Sequence, residues 1–312
     1  MRDAIQVIST TMFNVEFISG NLGNVFIAVV NIMDWVKRRK ISSVDQSLTA
    51  LAISRIIVLW SVYIMISMFS MYPELKVTII TVKLSNLIWI ISNHFSIWMA
   101  TILSILYFLK VANFSNSIFL YLRWRLTKVV PVALLVSLFL LFVNILVVEI
   151  QIDMWMDQFK ANVSYSCKLK KFTHITRLLV LTNAMFPLVP FTASMTMFFL
   201  LIFSLWKHVK KIKHITKSSR DASTTAHITA LKAIVAFLLL YAIFTFSLFI
   251  QLWSHELEEN NIFKNIFRVG IIAFPSLHSF VLIMGNSKLR QTSFLVLTAL
   301  RSKIQGCAPL SL

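Results

Sequence analysis

Two arginines stand where a charge is costly. Arg55 falls in the apolar stretch LTALAISRI (48–56) and Arg268 in the apolar run 262–284; a guanidinium in such surroundings marks a functional site or answers to a buried partner. Trp89 and Asn93 are four residues apart in another apolar run, a spacing that puts both on one face of a helix. An indole offers a flat apolar wall with one donor, and an amide both donates and accepts, so the pair suits the holding of a small molecule. It equally suits a packed indole beside an amide bonded to a neighbouring helix. Bond-making chemistry finds no comparable set. The seven histidines are scattered, and no Cys/His cluster with metal-ligand spacing, phosphate-cradling glycine loop or nucleophile with its base is present, so no metal, cofactor or enzymatic activity is expected. SLWKHVKKIKH (204–214) gathers Lys207, His208, Lys210, Lys211, Lys213 and His214. Such a cluster either binds phosphate, as in nucleic-acid recognition, or marks the point where a chain leaves a membrane on its cytoplasmic side.

Composition chooses between them. The 312 residues are 58% hydrophobic and 13% charged, with a formal net charge of +18; soluble domains average about 45–50% and about 25%. The apolar residues also come in blocks. VPVALLVSLFLLFVNILVV (130–148) and ITALKAIVAFLLLYAIFTFSLFIQLW (228–253) are long enough to cross a hydrocarbon core, which takes roughly 20 helical residues. Strands of a membrane barrel would instead alternate over about ten residues. The expected fold is an all-α bundle of seven transmembrane helices, at roughly 9–33, 47–71, 79–109, 129–149, 180–206, 230–253 and 262–284, with Lys83 and Arg268 interrupting the third and seventh.

Charge orients the spans. The loops at 34–45, 110–128 and 207–229, together with the tail, carry eighteen Lys and Arg against three acids (Asp34, Asp45 and Asp221). The other side balances ten with eight, Glu16 in the first span aside. The positive-inside rule puts the first set in the cytoplasm, the amino terminus outside and the carboxyl terminus inside. The basic run at 204–214 is then the cytoplasmic end of the fifth helix, and nucleic-acid binding is not expected. No cleavable signal is expected, because the first block follows a single Arg2 and lacks a small-residue cleavage site. Residues 1–285 make the membrane domain. Residues 286–312 make a tail whose NSKLRQTSFLVLTALRSKI mixes cations with leucines, as an interfacial helix does. Cys167 and Cys307 fall on opposite sides and cannot pair, and Cys307 is a candidate for acylation. Asn162-Val-Ser164 lies outside as a candidate glycosylation site, whereas Asn113-Phe-Ser115 faces the cytosol and should stay bare.

Seven helices with an outer amino terminus suit a receptor coupled to G proteins, and also some channels and transporters. The usual rhodopsin-like marks are absent: no Asp/Glu-Arg-Tyr closes the third helix, no Cys-Trp-x-Pro sits in the sixth, the seventh lacks Asn-Pro-x-x-Tyr, and the third has no outer cysteine. A secondary transporter would carry paired ionisable residues, broken helices and internal repeats, but membrane charges are few, glycines number five, and the halves do not repeat. EFISGNLGNVFIAVVNIMDWVKRRKISSVD (16–45), LTALAISRI (48–56), ILYFLKVANFSNSIFLYLRWR (105–125), IFSLWKHVKKI (202–212), DASTTAHITALK (221–232) and PSLHSFVLIMGNSKLRQ (275–291) closely resemble the bitter taste receptors of type 2. The resemblance covers essentially the whole chain, in order. It implies a plasma-membrane receptor, alone or as an oligomer, that detects bitter small molecules and activates a heterotrimeric G protein, with gustducin the usual partner. A channel or secondary transporter is the alternative.

The resemblance also assigns residues. Trp89 and Asn93 occupy the third-helix positions of a ligand pocket between the outer halves of the helices, with His94 as support. Arg268, about seven residues before Pro275, stands where some related receptors carry a ligand-facing glutamate. It is expected to line the pocket and favour anionic ligands, or else to snorkel outward or pair with Glu16 of the neighbouring first helix. Arg55 is expected to be structural and switch-related, satisfied by Asn24 or by backbone carbonyls of the seventh helix. Pro275 and His278 mark a hinge, since Pro275 removes a backbone donor. Gly20 and Gly23 thin one face of the first helix for close packing. Tyr107, Lys110, Arg123, Lys207, His208 and Lys211 form the expected G-protein surface, exposed when the fifth and sixth helices part.

Overall fold

The computed structural model describes residues 2–38, 42–71, 79–111, 124–160, 177–213, 222–254 and 261–306, which are almost entirely helical and include no strand. The long helices are α1 (Arg2–Arg38), α2 (Ser43–Met71), α3 (Ile79–Val111), α4 (Leu126–Lys160), α5 (Leu188–Lys213), α6 (Ala222–Ser254) and α7 (Asn261–Gly285), followed by α8 (Ser287–Gly306). A short helical segment at 177–185 leads into α5 across a turn at Phe186 and Pro187. Five stretches are long and apolar enough to cross a bilayer: Ala4–Lys37, Ser43–Met68, Lys83–Leu109, Lys128–Met154 and Arg177–Ser204. α6 adds the shorter apolar stretch Val235–Ile250, and α7 meets α8 at a bend of 97°. This is the seven-helix bundle that the hydropathy blocks predict, with one further helix turned nearly at right angles.

Local chemistry sets several helix ends. Ser42 caps α2: its Oγ accepts from the Asp45 amide at 3.1 Å and donates to the Asp45 carboxylate at 2.9 Å, so the hydroxyl satisfies a free amide of the first turn. Gly285 closes α7, and Asn286 opens α8 by accepting the Lys288 and Leu289 amides on Oδ1 at 3.0 and 3.3 Å. The Gly-Asn pair thus supplies both a stop and a start for the sharp bend.

α1 packs on α2 and α7, α6 on α5 and α7, and α3 runs through the middle against α2, α4, α5 and α6. Accordingly 72% of the α3 span is buried, against 17% of the α4 span. Leu51 and Leu59 of α2, Ile102 and Leu103 of α3, Tyr241 and Phe244 of α6 and Phe274 of α7 share one large core. A smaller core of Ile90, Leu141, Val148, Ile152 and Leu179 ties α4 and the 177–185 segment to α3. The outer faces show Leu135, Phe139, Phe142 and Leu146 of α4, side chains suited to lipid rather than water.

The lysine of the third span is paired with acids of α4. Lys83, which interrupts the third apolar block, donates to Glu149 at 2.9 Å and Asp153 at 2.7 Å on α4. The glycines of α1 act in close packing, as their spacing suggests. A methyl group on Gly20 would lie 2.9 Å from Cα of Ser276, and Gly23 faces Ser279, so two glycines three apart meet two serines three apart on α7.

Candidate functional site

The buried polar residues fall into two groups. The first lies where α1, α2 and α7 meet. Asn24 is fully buried, and its Nδ2 donates to the Gly20 carbonyl at 2.8 Å and across to the Pro275 carbonyl at 3.0 Å. Arg55 is also fully buried. Its Nη2 pairs with Nδ1 of His278, and its guanidinium carbon sits 5.1 Å above the Phe274 ring, a favourable place for a cation without water. His278 packs against Phe237 and Phe274, at 5.0 and 5.6 Å between ring centres. The expectation that Asn24 or an α7 carbonyl would satisfy Arg55 therefore resolves differently: Asn24 takes the carbonyl, and Arg55 takes the imidazole. Nε and Nη1 of Arg55 keep no hydrogen-bond partner among the described residues.

The second group faces an interior space bounded by α3, α4, α5 and the 177–185 segment. Trp89 and Asn93 both line it, as their four-residue spacing requires, and they share it with His94, Trp98, Asn144, Asn183 and the Phe186–Pro187 turn. Asn93, His94 and Asn144 are 7%, 8% and 5% exposed. His94, expected as support, fronts the same space and stacks near Trp98 at 5.9 Å. The volume is only about 20 Å³, which admits roughly one water. Prolines shape this wall. Pro187 and Pro190 have no amide to donate; the Pro187 carbonyl accepts from Tyr241 Oη at 2.7 Å, and the Pro190 carbonyl from Ser194 Oγ at 2.9 Å. On its other side Trp89 borders a groove of about 430 Å³ between α2 and α3. Exposed apolar side chains such as Ile57, Trp60, Leu84 and Ile88 wall that groove, which makes it part of the lipid-facing surface.

The remaining assigned residues are spread along the helices. Tyr107 lies near the far end of α3 from Trp89, packed against the main core. Lys110 ends α3, and Lys207, His208 and Lys211 lie on the last turns of α5; their side chains are outside those described, as is that of Arg268 on α7. Arg123, Asn162 and Cys307 lie outside the described residues altogether. Glu16 sits on α1 with Oε2 buried and without a hydrogen bond among the described residues. Asn144, Asn183 and the break at Phe186–Pro187 were not singled out in the sequence. Two signals bore on them: one amide in the otherwise apolar LFVNILVV, and two prolines in PLVP. Among the described residues no three His, Cys, Asp or Glu gather as metal ligands.

A seven-helix membrane bundle with a small aromatic and amide-lined interior at one end defines a polytopic helical membrane protein with a receptor-like architecture. The sequence profile of the taste receptor protein (TAS2R) family matches residues 1–301. Taste receptor type 2 member 125 of Rattus norvegicus is 55% identical, covering 98% of this chain and 99% of its own length. Taste receptor type 2 member 14 of Homo sapiens is 51% identical over 99% of this chain and 97% of its own, and member 140 of Rattus norvegicus is 51% identical over 94% of each. The chain belongs to the type 2 taste receptors, the bitter receptor family of G-protein-coupled receptors.

Proposed function

We propose that bitter small molecules bind this receptor in the space fronted by Trp89 and Asn93, and that the bound state activates a gustducin-type G protein. The observation that carries the reading is the convergence of that indole and amide, with His94 and Asn183, on one buried space against a proline-broken helix. Few polar anchors among aromatic and aliphatic walls suit recognition of varied small molecules. Ligand sites are usually about 300–1,000 Å³, so an agonist must widen the present space of about 20 Å³. A ligand that binds the widened state better shifts the population toward it. Arg268 of α7 contributes to the pocket and favours anionic or strongly accepting agonists.

The coupling surface lies at the opposite end, where Tyr107 and Lys110 close α3 and Lys207, His208 and Lys211 close α5, with Arg123 between α3 and α4. Asn24, Arg55, Pro275 and His278 form the joint through which α7 responds. The receptor sits in the plasma membrane with its amino terminus outside, Asn162 glycosylated and α8 along the inner lipid surface, its cations among the headgroups.

The test is a calcium recording in cells that display the chain with gustducin α, during a screen of bitter compounds. A dose-dependent rise that requires the G protein, and a higher half-maximal concentration in Trp89→Ala and Asn93→Ala at equal surface display, is expected. A response indifferent to both substitutions would contradict the pocket, and one independent of any G protein would contradict the coupling.

A further inference from the structure

The α4 wall of this space holds an amide whose carbonyl oxygen is buried and unmatched among the described residues. Asn144 is the one amide in the α4 run 130–148. It turns inward, 5% exposed, while Phe142 and Leu146 beside it face outward. Its Oδ1 is buried and has no hydrogen-bond partner among the described residues. Two nearby amides use their NH2 groups between elements: Gln151 Nε2 donates to Thr182 Oγ1 at 2.8 Å, leaving its Oε1 buried and unmatched among the described residues, and Asn183 Nδ2 donates to Asn86 Oδ1 at 3.4 Å. Those two have structural work between α3, α4 and the 177–185 segment. Asn144 differs from Gln151 in lining the space itself, and a buried carbonyl without a donor is unfavourable. His94, which fronts the same space, likewise leaves Nε2 buried and unmatched.

We propose that Asn144 is a specificity-determining residue, whose amide carbonyl accepts a hydrogen bond from an O–H or N–H of the agonist once the space widens. The inference rests on the pocket reading above. It adds a polar contact from α4 opposite the Trp89 wall, with Asn93 between them on α3. The preferred ligand class is an apolar or aromatic molecule with one donor group directed at α4. A site built around a buried acceptor discriminates against an analogue that lacks the donor, because the acceptor is then left unpaired.

The experiment is a double-mutant cycle on the full receptor in cells. A hydroxyl-bearing aromatic agonist and its methyl ether are compared on the native chain, Asn144→Leu and Asn144→Ser, with Trp89→Ala alongside. On the native chain the ether should act at about tenfold or higher concentration, the size of one buried hydrogen bond. In Asn144→Leu the two compounds should become equal, and Asn144→Ser, which keeps an acceptor, should retain part of the preference. Melting of the purified receptor should not fall in Asn144→Leu, since that change removes an unpaired polar group. Equal weakening of both compounds by Asn144→Leu would overturn the proposal, as would loss of surface display in both Asn144 variants, which would make the amide structural. A native chain indifferent to the methyl ether would also overturn it. Trp89→Ala without effect on either compound would refute the pocket reading separately, because the coupling between Asn144 and the hydroxyl is read without reference to Trp89.

Discussion

On the α1–α2–α7 side of the bundle, helices approach through glycines and are joined by long-range polar contacts. Gly20 and Gly23 bring α1 onto Ser276 and Ser279, Asn24 reaches the Pro275 carbonyl at 3.0 Å, and Arg55 meets His278. On the α3–α4–α5 side polar contacts also cross, Ser194 Oγ donating to Thr101 Oγ1 at 3.1 Å, but the entry to α5 is broken at Phe186 and Pro187, and a space lies between the helices, lined by His94 and Asn144 with their unmatched atoms. The first side has little room to change without separating backbones. Among the described residues, unmatched buried atoms occur on both sides, at Asn24 and Arg55 as well as at His94 and Asn144, but those of His94 and Asn144 belong to residues that line a space. One half of the molecule is thus a frame, and the other holds the space proposed for the ligand.

The largest effect should come from breaking the frame at its closest approach. Gly20→Leu forces a side chain into Ser276, where even a methyl would lie 2.9 Å from backbone. Overpacking of this kind costs about 1–3 kcal/mol or more, so surface display and thermal stability should both drop sharply. Next comes the buried arginine. Arg55→Met leaves His278 without its partner, at a cost of about 1–3 kcal/mol for the stranded imidazole. Arg55→Met with His278→Phe should recover part of that loss, and melting of the two single variants and the double variant measures the coupling. Strict additivity would mean the two side chains do not act as a pair.

The smallest effect is expected at the end of the frame. Lys288 of α8 donates to Asp34 at 2.9 Å and to Asn31 at 3.1 Å, with Asp45 at 3.9 Å, so it ties α8 to the ends of α1 and α2. Its side chain is about a third exposed. Solvent screening limits such a pair to about 0–1 kcal/mol, and Lys288→Ala should lower the melting temperature by only a few degrees, less in high salt. A loss as large as that of Gly20→Leu would mean that α8 belongs to the frame in full.

Much of this was readable from residue order because the bilayer imposes strong rules. A run such as 130–148 has to be helical once it lies in lipid, and the glycine spacing of α1 already indicated close packing. The face shared by Trp89 and Asn93 followed from helix geometry alone. Partner choice did not follow. Arg55 had several acceptors within reach of a long side chain, and only three-dimensional packing selects His278 over Asn24. The break before α5 was also missed, since PLVP sits inside an apolar run whose hydropathy is uninterrupted. Asn144 is one polar residue in an otherwise apolar run, and only packing shows that it lines the same space as Trp89 and Asn93 of α3.

The most direct measurement is an experimental structure of the receptor with an agonist bound. The account predicts density for the agonist against Trp89 and Asn93, in a space grown from about 20 Å³ to ligand size, with the Asn24–Pro275 contact retained. Agonist density elsewhere, with the Trp89 space still closed, would contradict it.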